Sequence, residues 1–133
     1  MAADLIIEEL KNFGDELATI SAQGESAIQS IDLWIEGSLQ YIADGRHLLA
    51  KALNAIDLPR SRGAAIGAAH GALLAPLKSK LSEMGVKDIS FALTLIQSTT
   101  DGASRRIESG DDAELVIKTT REFCIAGLTA LAR

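Results

Sequence analysis

The stretch "SAIQSIDLWIEGSLQYIADGRHLLAKALNAID", Ser26 to Asp57, decides the fold. Ile28, Ile31, Ile35, Leu39, Ile42, Leu49, Leu53 and Ile56 recur along it three, four or seven residues apart, missing only at Arg46. That spacing lays an apolar stripe along one side of an α-helix. A stripe sustained over more than 25 residues predicts a helix long for a globular protein, suited to coiled-coil-style packing or an extended bundle. Trp34 and Tyr41 stand one heptad apart beside the stripe, at its edge, and widen the face open to a partner helix.

Working outward, Ile6, Leu10, Phe13, Leu17 and Ile20 form a second stripe after Asp4 and predict an N-terminal helix. "SAQGES", Ser21 to Ser26, is either a break after it or a soft point in a longer rod. Downstream, Pro59 in "IDLPRSRG" ends the long helix and marks a hinge at 57–63. Residues 64–84 predict a third helix, stopped by Gly85 and kinked or divided at Pro76. Asp88 caps a fourth carrying Ile89, Ala92, Leu93, Ile96, Ala103 and Ile107, with "TTDGAS" as its weakest point. Asp111, with Glu114 three residues on, opens a last helix along Ile117, Thr120, Cys124, Leu128 and Leu131. No segment alternates as a strand would. The expected fold is therefore all-α, four or five amphipathic helices in a bundle or an elongated coiled-coil-like arrangement, forming one helical domain over 1–133.

Composition narrows the function. Hydrophobic residues make up 47% of the 133 but aromatics only 4%, so the core is aliphatic and its helices approach closely. Thirteen Lys and Arg against 18 Asp and Glu give a net charge of −5, which opposes binding to a nucleic-acid backbone. The apolar runs fall short of the roughly 20 residues of a transmembrane span. "MAADLIIEEL" has neither the cationic nor the apolar region of a secretory leader, which predicts a cytoplasmic protein. A single cysteine, Cys124, is expected as a small buried hydrophobe.

Chemistry is sparse in the sequence. His70, in "AAIGAAHGALLAPL", has only small or apolar residues at helical spacing and no second metal ligand. A phosphotransfer role for His70 ranks third among the readings, since Gly71 follows directly and Lys78 lies two turns away. His47, beside Arg46, is expected in solvent at a helix edge. Gly63, Gly67 and Gly71 recur every four residues and make a smooth strip for close helix approach. Glu8–Glu9 and Asp111–Asp112 are expected to complement helix N-termini. No catalytic, cofactor or metal residue is assigned, and the chain is expected to be non-catalytic. The candidate interaction face comprises Ile28, Ile31, Trp34, Ile35, Leu39, Tyr41, Ile42, Gly67, His70 and Gly71.

Two stretches, "SAIQSIDLWIEGSLQYIADGRHLLAKAL" and "ISFALTLIQSTTDGASRRIESGDDAELVIKTTREFCIAGLTALA", carry a family resemblance. Each sets a long Ala/Leu-rich helix against a short polar turn, and the second adds an acidic cap and a helix ending in an aromatic. In this the chain resembles the phasins, helical proteins that coat polyhydroxyalkanoate storage granules. The resemblance covers about two-thirds of the chain and implies a homo-oligomeric, cytoplasmic coat protein bound to a hydrophobic polymer surface at the granule. It transfers no individual residue, because phasins act through a face; the two prolines and the glycine-spaced segment around His70 depart from the family's habit. The alternative reading is a soluble helical-bundle interaction or regulatory module that binds a protein partner.

Overall fold

A computed structural model of the chain describes residues 2–48 and 60–133, with side chains over 4–48 and 71–133. The protein is all-α. Among the described residues the helices are α1 (Ala2–Ser21), α2 (Ala27–Ala43), α3 (Arg60–Met84), α4 (Ile89–Glu108) and α5 (Ala113–Leu131), packed as a compact bundle rather than an elongated rod.

The α1–α2 junction is a true break. Ser26 adopts extended geometry (φ −143°, ψ 164°) and its hydroxyl accepts the Gln29 N–H, satisfying a donor left open in the first turn of α2. The long helix expected across Ser26–Asp57 is shorter than its stripe. α2 stops at Ala43 because Asp44 caps it and Gly45 turns the chain at φ +76°, a conformation glycine adopts without Cβ strain. The stripe residues Leu49, Leu53 and Ile56 lie outside the described residues, as does the expected hinge over 57–59; residues 60–63 already belong to α3.

Pro76 does not divide α3, which continues to Met84. The proline gives up one backbone donor, while Leu73, Leu77 and Leu81 on either side of it are buried in the core and hold the helix to the bundle. α4 runs unbroken through "TTDGAS", with Asp88 as its N-cap. The N-cap of α5 is Asp112 rather than the expected Asp111: its carboxylate accepts from Glu114 and Leu115 N–H, whereas Asp111 turns back to pair with Arg106.

α2 is the central element and packs on every other helix. Its Ile31, Ile35 and Leu39 are fully buried and meet Leu17, Leu77, Leu81 and Ile96 in one core cluster drawn from all five helices. Close approach follows from Gly37, where an added Cβ would meet Leu17 Cδ2 at 3.0 Å. Cys124 lies in this core, and burial raises its thiol pKa. No described helix is long and apolar enough to cross a membrane.

Candidate functional site

The residues expected to form an interaction face divide three ways. Ile31, Trp34, Ile35, Leu39 and Tyr41 are buried within the bundle, and Ile28 and Ile42 are half-buried. Gly71 is exposed on α3, with open space where a Cβ would stand. Gly67 and His70 lie on the same helix, with side chains outside the described residues. The α2 stripe thus faces the protein's own helices.

Trp34 and Tyr41, expected at the core edge, each bury a ring and satisfy its polar tip. The Trp34 indole N–H donates to the Leu73 carbonyl at 3.2 Å, tying α2 to α3. The Tyr41 hydroxyl donates to Glu9 at 2.7 Å, so Glu9 fastens α1 to α2 instead of serving the N-terminus of α1. Tyr41 also stacks on Phe13, ring centroids 3.8 Å apart, under the Arg46 guanidinium. Arg46 in turn forks onto both carboxylate oxygens of Glu16 at 2.7 and 3.0 Å, holding that carboxyl below its usual pKa.

Burial and the Glu9 hydrogen bond push the Tyr41 phenol well above its ordinary value of about 10. The folded state therefore retains this proton more tightly than the unfolded chain does. Its contribution to stability is complete below about pH 10 and declines as pH rises beyond it. Tyr41 is the only tyrosine, so phenolate absorbance reports it alone. Titration of the folded protein is expected to show no ionisation near the ordinary value, with normal titration restored in denaturant; a midpoint near 10 in the folded state would refute the buried, Glu9-bonded phenol.

On the opposite flank, Arg121 of α5 clamps α2. Its Nε and Nη2 donate to the two Asp32 oxygens at 3.0 and 2.9 Å, and Nη1 reaches Glu36. This charged flank contrasts with the other side of α5. Of the seven large apolar side chains exposed among the described residues, five belong to α4 and α5. Phe123, Leu115 and Phe91 are 69%, 60% and 56% exposed.

A groove between α4 and α5 orders these residues. Gly102 and Ser98 of α4 line it with Leu115 and Thr119 of α5. Phe91 and Leu95 precede Gly102 by eleven and seven residues, and Phe123 follows Thr119 by four, so helical periodicity puts all three on the groove side. By the same periodicity Glu122 stands beside Phe123 at the margin of this face, and Arg105, Asp112 and the Arg106–Asp111 pair lie toward the turn.

The exposed face was missed in the sequence because Leu115 and Phe123 lie off the periodic stripe that predicts α5. Their signal is that deviation: large apolar residues on the side that periodicity assigns to water. Among the described residues, no three His, Cys, Asp or Glu side chains converge as a metal site would require. No family model, curated protein or solved structure matches the chain.

Proposed function

We propose that the protein is a non-catalytic helical interaction module that works as a homodimer, joined through the groove side of α4 and α5. The exposed side chains of Phe91, Leu95, Leu115 and Phe123, set along one groove, carry this reading. Large apolar side chains clustered at a surface and rimmed by polar residues mark an interaction site.

A second copy fits the face in area and in charge. Helices of 20 and 19 residues are about 30 Å long, and side by side about 20 Å wide. Their footprint, about 600 Å² per copy, reaches the lower end of specific interfaces. A two-fold axis parallel to the hairpin lays α4 of one copy on α5 of the other and completes a four-helix bundle. It brings Arg105 and Arg106, at the end of α4, against the acidic start of α5 at Asp112 and Glu114 in the second copy.

The granule-coat reading draws on the same surface, because the second phasin-like stretch, Ile89–Ala132, spans it. Its other candidate surface, the α2 stripe, is enclosed within the bundle. Sedimentation velocity over a concentration series, up to about 0.1 mM, separates these occupants. The wild-type chain is expected to sediment as a dimer and Phe123→Asp as a monomer with unchanged far-UV circular dichroism. A wild-type monomer at every concentration would overturn the homodimer. If that monomer also pelleted with polyhydroxybutyrate particles, and Phe123→Asp did not, the face would belong to the polymer instead.

A further inference from the structure

Both helices of the α4–α5 hairpin carry a second row of residues on the groove side, apart from the row that faces the core. On α4, Phe91, Leu95, Ser98, Gly102 and Arg105 follow one another at alternating intervals of four and three, and on α5 Val116, Thr119, Phe123, Ala126 and Ala130 do the same. Helices interlock as knobs and holes along rows of this repeat. Every member is exposed or half-buried, so both rows remain open to a further helix.

The two rows match in size. Glu108 and Ala113 flank the turn, and each helix rises about 1.5 Å per residue, so residues equally far from the turn stand at equal height. Gly102 is level with Thr119, and both line the groove. By the same count Ser98 is level with Phe123, Leu95 with Ala126 and Phe91 with Ala130. Each of the three large apolar side chains thus has a small one at its height on the other helix. Gly102, where an added Cβ would meet nothing within 4 Å, extends the hollow beside Ser98.

Resting on the homodimer reading, we propose that α4 of one copy pairs antiparallel with α5 of the other in this register, Phe123 filling a socket formed by Leu95, Ser98, Thr99 and Gly102 of the second copy. These four stand at i, i+3, i+4 and i+7, the outline of a hole on a helix surface. A two-fold axis parallel to the hairpin preserves the heights, so the contact is made twice. Pairing α4 with α4 or α5 with α5 would instead set Leu95 on Leu95 or Phe123 on Phe123, and leave Gly102 or Ala126 facing its own copy across a void. It would also oppose Arg105 with Arg105. The size pattern selects the α4–α5 pairing and favours a second copy of this chain, because a smooth surface offers no side chain to fill the hollow at Ser98 and Gly102.

Disulfide trapping separates the two pairings. Gly102→Cys and Thr119→Cys chains, mixed and oxidised together, are expected to give a covalent dimer containing one of each, identified by its mass. Gly102→Cys alone should give no more covalent dimer than the wild-type chain, whose Cys124 is buried. Sedimentation velocity supplies the second readout. Ser98→Phe fills the socket and is expected to weaken the dimer about tenfold or more, with circular dichroism unchanged. Adding Phe123→Ala moves the ring to the facing helix and should return the affinity to within about threefold of wild type. A wild-type dimer in which Gly102→Cys links to itself as readily as to Thr119→Cys would overturn the register and leave the homodimer standing. A Ser98→Phe dimer as tight as wild type would overturn the register too, and a wild-type monomer would remove the homodimer and the register together.

Discussion

Replacing Ile35 with alanine is expected to lower the free energy of unfolding by about 3 kcal/mol. Ile35 is fully buried on the helix that touches all the others, so truncation removes transfer free energy and leaves a cavity that several helices would have to move to fill. A loss of that size is a large part of the roughly 5–15 kcal/mol that holds a domain of this kind together. Urea denaturation followed by circular dichroism should show a lower midpoint at unchanged slope. A loss below about 0.5 kcal/mol, the range of ordinary surface substitutions, would return Ile35 to an exposed face. The result thus separates an enclosed α2 stripe from one available to a polymer.

The second large effect concerns a turn. Gly24→Ala would place a methyl 2.5 Å from Ser30 Oγ, 2.6 Å from Ser30 N and 2.8 Å from Ser30 Cα. Two of those atoms are backbone, and the Ser30 carbonyl is also held by the buried Ser21 hydroxyl at 3.1 Å, so the clash cannot be relieved by rotating a side chain. The break between α1 and α2 must open, at a cost of about 2–3 kcal/mol, typical of overpacking. Thermal unfolding should show a Tm about 10 °C lower. Gly71→Ala is the internal comparison: that glycine lies within α3 with open space around it, and the substitution should stabilise by about 0.5–1 kcal/mol. Equal effects at the two positions would rule out the close contact at Gly24.

Much of the helical order was legible because local chemistry and periodicity agreed. Asp88 begins a helix where a carboxylate can accept the Phe91 N–H, and Gly85 ends one at φ +81°. Where they disagreed, local chemistry prevailed. Asp44 and Gly45 end α2 although the apolar spacing continues beyond them, and a turn signal of that type outweighs a stripe whose next member is seven residues away. Asp111 and Asp112 are equivalent on paper; only the geometry that engages Asp111 with Arg106 leaves Asp112 to cap.

The direction in which a stripe faces was not legible at all. Ile31, Ile35 and Leu39 have the same spacing whether they bury against four helices of their own chain or against an external surface, because periodicity records a side and not its neighbour. A pocket between α1, α2, α3 and α4 was equally hidden. Of its lining residues, His47, half-buried instead of in solvent, comes from the turn after α2, Ser38 from α2 and Asp101 from α4, and only the packing of these elements brings them together.

The central position of α2 also bears on how the chain is made. α2 is complete once residue 43 has been synthesised, yet α5, which covers one flank and contributes the Arg121 clamp to Asp32, ends only at Leu131. Those 88 intervening residues, from 43 to 131, take about 4–18 s to translate. Throughout that interval the flank of α2 that α5 will cover stands open in the nascent chain.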